Sequence, residues 1–118
     1  MAASENELLG AIYGRAAGAL PAEVVVGPGD DLAVVRVGGR EVLIGVDQVI
    51  EGVHFTLDAV SIDRVAYKAI ARCVSDVAAM AGAPTAAVVS TMLPRGAGYG
   101  DELAAAVHRH GHGRRRRL

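Results

Sequence analysis

Three short acidic stretches hold most of the side chains in this chain that could do chemistry. They are Gly27-Pro28-Gly29-Asp30-Asp31, Val46-Asp47-Gln48-Val49-Ile50-Glu51-Gly52-Val53-His54-Phe55 and Ser75-Asp76-Val77-Ala78-Ala79-Met80. Asp47 stands at the C-terminal end of an apolar run over residues 42–46, and strand ends with their following loops are where α/β folds hold ligands. Taken alone, Asp47 reads equally well as the start of a turn. Asp30, Asp31 and Asp76 shift the balance, because carboxylates gathered from three stretches collect cations.

The elements that position these residues follow from periodicity and turn signals. Ser4 and Glu7 have capping-box spacing, and Leu8, Leu9, Ile12, Tyr13 and Ala16 follow at helical spacing, so a helix is predicted over 5–17. Val24, Val25 and Val26 predict a short strand. The loop at 27–31 is not a dinucleotide fingerprint, since the third glycine would fall at Leu32, and no Walker-type phosphate loop occurs in the chain. Two apolar runs, 32–37 and 40–46, flank Gly38-Gly39 and predict a β-hairpin. Such a hairpin would bring Asp31 and Asp47 toward one another, each about eight residues from the turn.

Ser61 is the predicted N-cap of the longest helix, over 62–81, with Gly82 as its C′ residue and Pro84 as its stop. Its apolar stripe is Ile62, Val65, Ala66, Ala69, Ile70, Cys73, Val77 and Met80, and Asp76 falls on the same stripe. A carboxylate facing a core is costly unless it is paired, hydrogen-bonded or cation-bound. Residues 85–93 read as another buried strand and 101–107 as a short helix capped by Asp101. From His108 onward no core-forming pattern is visible, so 108–118 is expected to be a disordered basic tail beyond a domain over 1–107. The expected class is therefore α/β or α+β: a mixed sheet of about four strands with a long helix on one face.

Composition narrows the function classes. The chain has 118 residues, enough for one domain, and is 52% hydrophobic but only 3% aromatic. No apolar run reaches membrane-spanning length and the N-terminus lacks a signal-peptide pattern, so a cytoplasmic protein without membrane association is expected. A single cysteine, Cys73, excludes an internal disulfide framework and is most simply a small core residue. The net charge of −1 hides an acidic body and a basic end, since all 13 acids lie at or before Glu102 while Arg109 and Arg114 to Arg117 follow it. An acidic body argues against specific nucleic-acid binding.

These motifs, in this order, resemble the N-terminal domain of thiamine-monophosphate kinase. The resemblance rests on Gly-Asp-Asp at 29–31, the 46–55 segment, Tyr-Lys-Ala-Ile-Ala-Arg-Cys-Val-Ser-Asp-Val-Ala-Ala-Met at 67–80 and Gly-Ala-Pro at 82–84. It runs from about Asn6 to Leu103 and covers the family's N-terminal half. The fold it implies is shared with aminoimidazole ribonucleotide synthetase and selenophosphate synthetase. It implies ATP-dependent phosphorylation of thiamine monophosphate to the diphosphate, with Mg²⁺ as the metal, in a homodimer whose N-terminal domains pair through their sheets. Carried over by position, Asp31, Asp47 and Asp76 are magnesium ligands with Asp30 beside them. Gly29, Asp30 and Asp31 then belong to the nucleotide site, and His54 to the substrate. Mg²⁺ prefers hard oxygen donors, and phosphoryl transfer is mostly positioning and charge neutralisation, so the residue types agree with that chemistry.

The chain departs from the family pattern at Gly45 and Val46, where a hydroxyl residue is usual, and at Gln48, where Thr is usual. The family's later Gly-Gly-Asp-Thr motif and its C-terminal domain are absent, which predicts an inactive fragment as the chain stands. Two alternatives stay open: another ATP-using synthetase of the same fold, of the selenophosphate type, and a non-catalytic dimerisation module. His108, His110 and His112 could chelate a metal, although a solvated tail is the simpler reading.

Overall fold

Ser4 begins the chain's first helix as its spacing predicts. Its hydroxyl accepts from the Glu7 backbone at 3.3 Å, and its own N–H donates to Glu7 Oε2 at 2.7 Å. The Ser4 hydroxyl also donates to that carboxylate oxygen at 2.9 Å, and the two Ser4 donors hold the Glu7 carboxyl below the usual carboxylate range, the backbone one most strongly. A computed structural model describes residues 2–115, in two units that divide after Gly45.

The first unit holds helix α1 (Glu5–Ala16) and strands β1 (Val24–Val26), β2 (Ala33–Val37) and β3 (Arg40–Ile44). They form one three-stranded sheet, β1-β2-β3, antiparallel throughout. The α+β class holds, with three strands and no parallel strand pair among the described residues, where about four strands in a mixed sheet are expected. Gly38 and Gly39 both take positive φ, 56° and 78°, which a two-residue primed turn requires and glycine supplies at no steric cost. The turn fixes the register, from Val37 opposite Arg40 to Ala33 opposite Ile44. A bulge between Val24 and Val26 offsets β1 against β2.

Leu32 and Val34 are the buried residues of this unit, and Gly45 lies directly under Leu32. A Cβ at position 45 would meet Leu32 Cδ2 at 2.0 Å. Close packing against Leu32 thus suits a glycine at 45, one of the positions where the chain departs from the pattern it resembles. The outer surfaces stay apolar: no residue of α1 is buried, and Val37, Val42 and Ile44 are exposed.

The second unit is built on α2 (Ile62–Ala79) and α3 (Gly100–Arg115), which pack on each other. Ser61 Oγ caps α2 by accepting from Arg64 N–H at 3.3 Å. Val65, Ala66 and Ile70 form the buried stripe, and Ala66 and Ala106 are both fully buried, small enough for close helix approach. Cys73, expected in the core, is exposed. The C-terminus of α2 closes in a Schellman motif: Gly82 N–H donates to Val77 C=O at 2.9 Å and Ala81 N–H to Ala78 C=O at 3.0 Å. The left-handed C′ residue is Ala81, with φ 54°, one position before the glycine that the spacing predicts.

Two further expectations are corrected here. Residues 85–93 form no strand, and Val88 and Met92 are almost fully exposed. β-propensity alone does not make a strand: the ladder needs a hydrogen-bonding partner, and no described strand pairs with this segment. The helix expected to end at Val107 instead continues to Arg115, where disorder is predicted. Leu103, Ala106, Val107 and His110 are buried or half-buried at helical spacing, so α3 keeps one face covered well past 107. Arg116, Arg117 and Leu118, also part of the predicted tail, lie outside the described residues.

Candidate functional site

The site grows from one charged line along α2. Lys68, Arg72 and Asp76 are spaced four residues apart, so they stack on a single helix face. Asp47, at the start of the loop before α2, lies against the middle of that line. Arg72 Nε donates to Asp47 Oδ2 at 2.8 Å and its Nη2 to Oδ1 at 3.0 Å, a two-point pair with planar complementarity. Oδ1 also accepts from Gln48 N–H at 2.7 Å. The Arg72 hydrogen bonds outweigh partial burial and hold the Asp47 carboxyl below the usual carboxylate range. Asp47 in turn raises Arg72, with the Asp76 charge adding to the effect. Asp47, Lys68, Arg72, Ser75 and Asp76 line an open depression of about 440 Å³.

A second depression of about 390 Å³ shares Lys68 and is bounded by His54, Arg64 and the turn around Gly52. Gly52 takes φ 79°, and its N–H donates to Phe55 C=O at 2.7 Å. His54 is built into the same turn. Its backbone N–H donates to Ile50 C=O at 2.8 Å, while its Nδ1 accepts from Ile50 N–H at 3.0 Å. Accepting at Nδ1 leaves the proton of a neutral ring on Nε2. Lys68 Nζ donates to His54 C=O and so ties this turn to α2.

Asp47 and Asp76, expected to act together, do share one depression. Asp76 is half-buried there rather than facing the core. Asp30 and Asp31 belong to the first unit. Both are exposed, and Asp31 N–H donates to Asp30 Oδ1 at 2.8 Å in a loop where Gly29 takes φ 124°. Cys73 sits one residue past Arg72. Partial burial of its sulfur and the Asp47 and Asp76 charges push the thiol up, the opposite of what a nucleophilic cysteine needs.

Magnesium, implied by the family resemblance, does not fit this arrangement. Both Asp47 oxygens are engaged by Arg72, and no three His, Cys, Asp or Glu side chains gather into a metal cradle among the described residues. Lys68 and Arg72 lie outside the sequence-based site: their four-residue spacing to Asp76 is legible, but nothing local links Arg72 to Asp47, 25 residues away.

A family described as AIR synthase related protein, N-terminal domain, matches residues 29–113. A thiamine-monophosphate kinase of Mycobacterium tuberculosis is 39% identical over 74 residues, covering 63% of this chain and 22% of its own length. The Bacillus subtilis protein of that name is 42% identical over 72 residues, covering 60% of this chain and 22% of its own length. The one from Rhodopirellula baltica is 36% identical over 95 residues, covering 73% of this chain and 29% of its own length. The chain therefore spans less than a third of the length of these relatives. No solved structure matches it. With Asp30, Asp31, Asp47 and Asp76 all inside the matched region, the chain belongs to the AIR synthase related family as an N-terminal domain.

Proposed function

We propose that this chain supplies one wall of the phosphoryl-transfer site of a thiamine-monophosphate kinase, which converts ATP and thiamine monophosphate to ADP and thiamine diphosphate. The observation that carries the reading is the Lys68–Arg72–Asp76 line with Asp47 locked against it, in a chain whose curated relatives bear that name. A phosphate monoester suits the depression around His54, Arg64 and Lys68, which offers two cations and one imidazole donor. Gly29, Asp30 and Asp31 are assigned to the nucleotide side and Asp47 and Asp76 to the acidic side, on the resemblance. The exposed Val37, Val42 and Ile44 suit pairing of two copies through their sheets, as a homodimer. The cytoplasm is the compartment that fits this biosynthetic role.

In-line transfer needs both substrates held in near-attack geometry, and such positioning supplies about 7–11 kcal/mol of barrier lowering. One wall cannot provide that, so these 118 residues alone are expected to bind substrate weakly and not to turn over. Calorimetric titration of thiamine monophosphate into the chain, beside Lys68→Gln and His54→Ala, tests the assignment. Weakened binding in both variants supports it. Equal binding in all three proteins, or steady thiamine diphosphate formation by the unmodified chain, rejects it.

A further inference from the structure

Three histidines lie near the end of α3, and the fold treats them differently. His110 is half-buried: its Nε2 lies 3.0 Å from Asp63 Oδ1, and its ring meets Tyr67 edge-on at 5.5 Å. Arg109 donates to the same Asp63 oxygen at 2.8 Å. His110 is thus committed to holding α3 against the first turn of α2. His108 and His112 are exposed, one helical turn apart on a common face, with ring centroids 4.3 Å apart and planes at 63°.

We propose that His108 and His112 form a two-imidazole site for a borderline divalent transition metal: Cu²⁺, Ni²⁺ or Zn²⁺. Imidazole nitrogens bind such ions at about 2.0–2.1 Å, so two cis nitrogens must come within about 3 Å of each other. Rings already in contact reach that spacing by rotating about their own side-chain bonds, with no backbone movement. Hard ions such as Mg²⁺ prefer oxygen donors and are not expected to bind this pair. Two protein nitrogens leave the remaining coordination positions to water. The site also has a structural consequence. Gly111 and Gly113 each weaken the helix by about 1 kcal/mol relative to alanine, and a chelate spanning one turn joins metal binding to helix formation.

The test is calorimetric titration of the 118-residue chain at neutral pH with Cu²⁺, Ni²⁺ and Zn²⁺ separately, with far-ultraviolet circular dichroism in parallel. The expected result is one site per chain, with Cu²⁺ bound more tightly than either Ni²⁺ or Zn²⁺, and a gain in helical signal on loading. His108→Ala and His112→Ala should each weaken binding at least tenfold. His110→Gln, which keeps a polar group toward Asp63, should change it less than twofold. A double variant that moves the second histidine one position, His112→Gly with Gly113→His, should bind as weakly as His112→Ala. Equal losses from all three histidines, or full binding by the shifted variant, would show a flexible tail chelating without the helical pair and would overturn the proposal.

Discussion

Replacing Ala81 with glycine should stabilise the chain, because Ala81 is the left-handed residue that closes α2. Its φ of 54° is fixed by two hydrogen bonds, from Gly82 N–H to Val77 C=O and from its own N–H to Ala78 C=O. An L-residue in this region is strained by about 1–2 kcal/mol. Glycine removes that strain but adds about 0.4–1 kcal/mol of unfolded-state entropy. The difference leaves a net gain of about 0.5–1 kcal/mol, which for a chain of this size raises Tm by about 2–6 °C. Thermal melts followed at 222 nm, checked by urea denaturation, measure it directly. Gly82→Ala is the control: Gly82 is not left-handed, so its replacement should not destabilise the chain and should gain at most the same unfolded-state entropy, about 0.4–1 kcal/mol. A lower Tm for Ala81→Gly with a large loss for Gly82→Ala would mean that Gly82 closes the helix after all, and the capping argument would fail.

Three further outcomes are expected. Asp47 has a folded pKa below its ordinary value of 3.8, so its contribution is present above that value and is lost as pH falls through the depressed one. Arg72→Gln should therefore flatten the acid limb of a stability-versus-pH profile, and an unchanged limb would remove the pair as a source of acid sensitivity. Gly45→Ala should destabilise the first unit by about 1–3 kcal/mol through overpacking against Leu32, as read from urea midpoints. Asp63→Ala should reduce amide-exchange protection in the last two turns of α3, because Arg109 and His110 lose their shared acceptor.

Local elements were legible in the sequence where one short-range rule decided them. The Ser4 and Ser61 caps, the Gly38-Gly39 hairpin and the buried stripe of Val65, Ala66 and Ile70 all follow from neighbours within four residues. Residues 85–93 misled because a run rich in β-formers signals pairing without showing whether a partner strand exists. The end of α3 misled for a different reason. His110 reads as polar and Gly111 as a breaker, yet Leu103, Ala106, Val107 and His110 continue a helical stripe whose last member is satisfied by Asp63. In the candidate site, the strand-end position singles out Asp47 and the helix spacing singles out Asp76, and the two line one depression. Arg72 is not singled out, because the 25-residue separation of its partner is invisible to periodicity.

Whether the line on α2 is a phosphate-binding wall can be read residue by residue. Amide chemical shifts of the isotopically labelled chain, recorded during separate titrations with thiamine monophosphate and with ATP, would locate each ligand. The account predicts that thiamine monophosphate moves the amides of residues 50–55 and 64–72, that ATP moves those of the same α2 line, and that Lys68→Gln abolishes the first set. Shifts confined to the basic end beyond His108, or an unchanged spectrum at millimolar ligand, would contradict it.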